Sequence, residues 1–304
     1  MDAKFIEKAN LIASDNISSS HQILRDMLDV LISFSEQNNS ASDFAQDLKS
    51  LSSSISESQS QMAALINVCA LLHSAADKLG SKEIVSYLRG LRHKVETVSK
   101  SVALQAAALI AEGRTYATIS QSEFVLKTFE QASLANKLCT VFVMESRPLF
   151  EGRQTAKEIT KMGHRAVLVS DAAIGSFIDE IDSAFVGADS ILSDGTLINK
   201  IGTYPLAVCC AAAKKNFYVI TSILKYDFGK NAVKFINKKE GAEEIYAGPE
   251  TLEWTPPVEI RNFYFDRVGA DLVTMILTEA GNISSSSSLA HLESRISELY
   301  GPPL

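Results

Sequence analysis

The sequence predicts an α/β protein: a helical N-terminal domain over residues 1–113, then a domain over residues 114–304 built on a mostly parallel sheet. Three observations carry this. Apolar residues recur at helical spacing through the first third of the chain. Beyond Gly113, short β-rich runs alternate with helical segments. The 304 residues, 46% hydrophobic and 21% charged, have ordinary globular composition and length for roughly two domains.

In the first third, Ile23, Met27, Leu28, Leu31 and Phe34 mark one helix face, and Phe44, Leu48, Leu51 and Ile55 another. Met62–Leu79 is apolar and reaches Gly80, read as a C-cap. A stripe from Ile84 through Leu88, Leu91, Val95, Val98, Val102 and Ala106 to Ile110 predicts a long helix ending at Gly113. Such stripes pack inside bundles.

Strands are then expected at Tyr116–Ile119, Cys139–Met144, Ala166–Val169, Ala184–Gly187, Phe217–Ile220 and Thr274–Thr278. Helices are expected at Ser122–Ala135, Arg153–Met162, Ala172–Ile178 and Thr203–Lys214. Strand–helix alternation gives a parallel sheet covered on both faces, and ligands bind at the carboxyl ends of its strands.

Net charge of −7 and a pI of about 5.4 make direct nucleic-acid binding an unexpected role. The longest apolar run, Leu206–Ala213, is far short of the roughly 20 residues that span a bilayer, so a membrane role is not expected and a cytoplasmic location is. The four cysteines sit among aliphatic residues and the five histidines are scattered, so no metal and no cofactor is expected. G-x-G-x-x-G, G-x-x-x-x-G-K-[ST] and G-x-S-x-G are all absent, which removes dehydrogenase, nucleotide hydrolase and α/β-hydrolase as first readings.

The carboxyl-end rule collects a candidate site. Arg147 follows one strand, Asp189 another and Lys225 a third; Asn199, Lys200, Gly202 and Thr203 lead into a helix. Cations and a helix N-terminus are phosphate-binding parts. Asp189 is the group suited to moving a proton. In the plainer reading, Asp189 satisfies turn amides before Ser193-Asp194-Gly195, and Arg147 pairs with Glu145 or Asp171.

The stretches VFVMESRPLFEGRQTAKEI, VGADSILSDGTLINKIGT and FYVITSILKY resemble three blocks of one superfamily. It holds the alpha, beta and delta regulatory subunits of translation initiation factor 2B, with ribose-1,5-bisphosphate and methylthioribose-1-phosphate isomerases. The resemblance covers roughly residues 114–280. It implies a helical domain on a Rossmann-like domain, and assembly as a homodimer or within a larger initiation-factor complex. Phe263, Tyr264, Phe265, Leu272, Val273 and Ile276 are read as apolar surface for core and interface together.

The resemblance also implies catalytic roles for two positions. The isomerases' V-G-A-D aspartate is Asp189 here, but the cysteine of their T-x-C-x-S segment is Ser120. A hydroxyl is far less acidic than a thiol of pKa about 8.5. The isomerases' Arg-Gly-Ala-Gly phosphate grip falls at Ser18–His21, which lacks the arginine and both glycines. Ser284–Ser288 reads as a loop ending in a helix N-cap. The expected function is a non-catalytic, regulatory-subunit-like protein whose pocket takes a phosphorylated sugar or nucleotide. The alternative is a sugar-phosphate isomerase with Asp189 catalytic.

Overall fold

A computed structural model describes residues 2–15, 18–230, 232–246, 259–283 and 292–303. The serine run Ser284–Ser288 lies outside the described residues.

The helical domain comprises α1 (Ala3–Ala13), α2 (Ser20–Asn38), α3 (Phe44–Ser58), α4 (Ala63–Lys78) and α5 (Ser81–Ala106). The predicted stripes are its core: Met27, Leu28, Leu31, Leu48, Ile55 and Leu88 are fully buried. Gly80 differs from expectation. Its φ of −70° is extended, so it starts α5 rather than closing α4, and its N–H is capped by the Glu83 carboxylate at 2.8 Å. The long helix also stops early, at Ala106, and tightens into a 3₁₀ turn over Ala107–Leu109.

α5 serves two cores. Ile84 to Val95 pack within the helical bundle, whereas Val98, Val102 and Ala106 pack with Phe124, Phe129 and Phe185 against the sheet.

The second domain runs β1 (Thr115–Ile119), α6 (Glu123–Leu134), β2 (Thr140–Met144), α7 (Glu151–Lys161), β3 (Arg165–Val169), α8 (Ile174–Phe177), β4 (Ser183–Val186), β5 (Ser190–Leu192), β6 (Leu197–Lys200), α9 (Thr203–Ala212), β7 (Asn216–Ile220), β8 (Tyr226–Asp227), α10 (Glu243–Tyr246), β9 (Phe265–Val268), β10 (Met275–Thr278) and β11 (Gly281–Ile283). Its main sheet has the order β11-β10-β7-β4-β1-β2-β3, parallel except for the β10–β11 hairpin. All six predicted strands lie in it. Outward from β1 the chain builds β2 and β3 on one side, then β4, β7 and β10 on the other. This is the Rossmann order, and its direction reverses between β1 and β4.

A second sheet, β8-β5-β6-β9, was not predicted. Its strands are two to four residues long, too short for a clear period. Asn199 and Lys200 therefore end a strand, β6, rather than enter a helix.

α11 (Leu292–Tyr300) returns to the main sheet. Tyr300 donates its hydroxyl to Glu279 at 2.5 Å, and the Tyr87 hydroxyl of α5 donates to the Tyr300 carbonyl at 2.9 Å. Glu279 also accepts from the Ser222 hydroxyl at 2.6 Å, and Ser222 caps the 3₁₀ turn Ile223–Lys225. Burial raises the Glu279 carboxyl above its ordinary value, against these hydrogen bonds. Tyr264, Val273 and Ile276, read as core and interface together, are buried within the chain itself.

Candidate functional site

A cleft opens at the carboxyl ends of β1 and β4, the switch point where Rossmann sheets bind ligands. Its open space, mouth included, is about 1020 Å³. Ser120–Phe124 line it after β1 and Gly187–Asp189 after β4. The helical domain closes it with Ser18–His21 and Ser58–Met62.

The chain is shaped tightly here. A Cβ on Gly187 would sit 2.5 Å from the Ser122 hydroxyl at the start of α6, so only glycine admits that approach. Ser120 has a φ of 67°, unusual for a residue with a side chain. Its N–H donates to the Ser146 hydroxyl at 2.8 Å, and its carbonyl accepts from the Thr155 hydroxyl at 2.8 Å. These bonds hold the Ser120 hydroxyl against Glu151, to which it donates at 3.0 Å.

Two buried lysines flank the site. Lys200 pairs with the same Glu151 oxygen at 2.8 Å and lies 4.8 Å from the Tyr264 ring centre. The other Glu151 oxygen, Oε2, is buried without a hydrogen-bond partner among the described residues. Lys225 donates to the Ser20 hydroxyl at 2.9 Å and to the Ala188 carbonyl at 2.5 Å. Burial lowers the Lys225 ammonium from its ordinary range, while the charges of Asp189 and Glu123 oppose that shift. The Asp189 carboxylate makes no hydrogen bond among the described residues. Its turn-capping role falls instead to Asp194, which accepts from the Thr196 N–H at 3.1 Å.

His21, at the start of α2, packs edge-on against Phe124 at 5.2 Å. Its Nε2 lies 3.8 Å from Glu123 and has no hydrogen-bond partner among the described residues. Burial lowers the imidazole to about 4, Glu123 pulling it up and Lys225 and Arg25 pushing it down. Glu123 is itself held by Arg25 at 2.8 Å and by the Ser99 hydroxyl at 2.8 Å.

Asp189, Ser120, Asn199, Lys200 and Lys225 thus line one cleft, and three expected phosphate ligands do not. The Arg147 side chain is exposed, reaching the Ile245 carbonyl at 3.4 Å and covering Phe150. It pairs with neither Glu145 nor Asp171: Glu145 pairs with Arg153, and Asp171 accepts the Arg147 backbone N–H at 2.7 Å. The amides at Gly202 and Thr203 are also unsuited to an anion. Asp266 occupies the α9 N-terminus, accepting from Gly202 at 2.7 Å and Tyr204 at 2.9 Å. The Thr203 hydroxyl is spent on the Lys200 carbonyl and on Asn199. Sequence reasoning missed Glu123 and Glu151, which open α6 and α7 at strand ends and were within reach of the same rule.

A helical domain on a Rossmann-ordered sheet, with a charged cleft at the switch point, defines a two-part α/β protein of ligand-cleft architecture. The chain belongs to the initiation factor 2 subunit family, which matches residues 16–285. It is 29% identical to the ribose 1,5-bisphosphate isomerase of Archaeoglobus fulgidus, over 91% of this chain and 89% of that protein. It is 30% identical to a putative translation initiation factor eIF-2B subunit 2-like protein of Pyrococcus furiosus, over 75% of this chain and 78% of that one. In structure it is similar to the translation initiation factor eIF-2B of Pyrococcus horikoshii OT3. The TM-score is 0.79 at 24% identity, covering 93% of this chain and 98% of that one. Among the described residues no helix is long and apolar enough to cross a membrane.

Proposed function

We propose that this chain is a non-catalytic, regulatory-subunit-like member of the family that binds a phosphorylated sugar or nucleotide in its switch-point cleft without converting it. The Ser120–Glu151 hydrogen bond carries this reading. Where the resemblance expects a thiol, a hydroxyl stands with its proton already directed to a carboxylate at 3.0 Å. Among the described residues no cysteine lines the cleft. Moving a hydrogen between neighbouring sugar carbons needs one group to remove a proton and another to return it, each within about 3 Å of its atom. Asp189 serves as one; Ser120 is a poor second.

The isomerase reading is favoured by Asp189, whose carboxylate is unbonded beside Lys225, and by the length of the match to the Archaeoglobus enzyme. An isomerase assay with ribose 1,5-bisphosphate and methylthioribose 1-phosphate separates the two. No conversion above background is expected. Turnover that Asp189→Asn abolishes would establish the enzyme instead.

Assembly as a homodimer or within a larger initiation-factor complex is part of the same proposal. The exposed Tyr204 and Val208 on α9 offer apolar surface for it. Sedimentation at micromolar concentration should show a dimer or larger species, and a stable monomer would remove this part.

A further inference from the structure

Ser120 stands in a strand–serine–helix elbow. It directly follows β1 with a φ of 67°, and α6 begins at Glu123. A residue with a side chain holds that conformation only where its surroundings impose it, and such strained positions gather at reactive sites. Ser146, just past β2, has a similar φ of 66°. The two serines differ in what their hydroxyls do. Ser146 is fully buried and its hydroxyl donates to the Met144 carbonyl at 3.0 Å. Ser120 instead lines the cleft.

The parts of a nucleophile site meet at Ser120. Its hydroxyl donates to Glu151 Oε1 at 3.0 Å, and Lys200 pairs with the same oxygen at 2.8 Å. That is a nucleophile, a base and a third group that orients the base. Glu151 Oε2 has no donor among the described residues, so the carboxylate keeps capacity for a proton. The N–H groups of Gln121, the residue after the serine, and of Ser122 have no acceptor among the described residues. They stand immediately before α6, a helix of 12 residues. Amides so placed stabilise the oxyanion that forms when a hydroxyl attacks a carbonyl. Ile119 and Leu149 also line the cleft and give an acyl chain an apolar wall.

We propose that Ser120 is a nucleophile towards activated carboxylic esters, with Glu151 as its general base. Such a site is defined by geometry and roles, so the absence of G-x-S-x-G does not exclude it. The Ser120 proton passes to Glu151 as Oγ bonds the carbonyl carbon. The ester C–O bond then breaks, and the leaving alkoxide takes that proton from Glu151. Water repeats the sequence, freeing the acid and restoring the serine. This acyl transfer goes beyond the ligand reading above, which concerns isomerisation alone, and does not depend on it.

Two probes of the full chain test the proposal. Nitrophenyl acetate should be cleaved, read as nitrophenolate release. A fluorophosphonate should form a stable phosphonyl ester on Ser120 with loss of fluoride, read by peptide mass mapping. Ser120→Gly suits the left-handed backbone and should abolish both. Glu151→Gln should make both at least about 100-fold slower, the worth of a general base. Thermal unfolding checks that each variant is folded, and labelling of the unmodified chain decides even where one is not. Phosphonylation elsewhere with Ser120 unlabelled would overturn the proposal. So would ester cleavage unchanged in folded Ser120→Gly, or labelling unchanged in folded Glu151→Gln.

Discussion

The two sheets of the second domain are built on opposite terms. The central strands of the seven-stranded sheet are mostly buried apolar runs, with Phe185 meeting Tyr116, Phe129 and Tyr218 across its core. The four-stranded sheet has a small satellite core of Leu192, Ile198 and Phe235, with Phe265 packed against it, while its Ile191, Leu197, Tyr226 and Val268 join the main core. Yet the smaller sheet places Asn199 and Lys200 in the cleft, at the end of β6. The larger sheet sets the frame and the smaller one supplies chemistry, so stability and function need not be lost together.

Substitutions in each sheet put this to the test. Phe185→Ala should cost about 4 kcal/mol in chemical denaturation, because its neighbours are themselves fully packed and cannot collapse into the void. The comparison would break if that cost were no greater than the cost in the smaller sheet.

A pH titration isolates the seam where the helical domain meets both. Folded His21 stays neutral down to about pH 4, whereas the unfolded imidazole titrates near 6.5. Between those values the unfolded chain binds more protons, so stability rises with pH across the window. From pH 6.5 down to 4 the loss should be about 3 kcal/mol, and His21→Phe should flatten it. An equal slope in the variant would assign the acid sensitivity to other groups.

Ile198→Ala in the smaller sheet should cost about 2 kcal/mol, at the low end for such a truncation, because a small core relaxes more readily. Ligand affinity should fall more than stability does, measured by calorimetry alongside denaturation.

The smallest effect should be at Asp266, in β9. Asp266→Ala strands two amides of α9 and should cost about 1 kcal/mol; Asp266→Asn keeps an acceptor and should recover most of it. Free phosphate should stabilise the alanine variant and not the unmodified chain, since only there is the helix end open to an anion.

The same contrast explains what was legible in the sequence. β1, β2, β4, β7 and β10 are largely apolar and mostly buried, and burial on both faces writes itself into residue type; the half-exposed edge strand β3 is legible from its AVLV run alone. β5 and β6 are a short hairpin around Asp194-Gly195, a turn signal whose flanks were read as a strand end and a helix entry. Asp189, Asn199, Lys200 and Lys225 could be gathered because the strand-end rule is local. Asp266 could not, because it reaches the start of α9 from 64 residues away. Arg147 was misplaced for a similar reason: its position at a strand end is visible, but the outward course of its side chain is set by Phe150 and by the carbonyl of Ile245.

The clasp at Tyr300 has a further consequence. Its hydroxyl, Glu279 and the Ser222 hydroxyl form a relay that ends at the turn carrying Lys225. A chain shortened before α11 would lose the first link, leaving Glu279 one donor poorer and the turn beneath Lys225 less firmly braced. α11 is therefore linked through this relay to a cation inside the cleft, and a cut that releases it would be felt there.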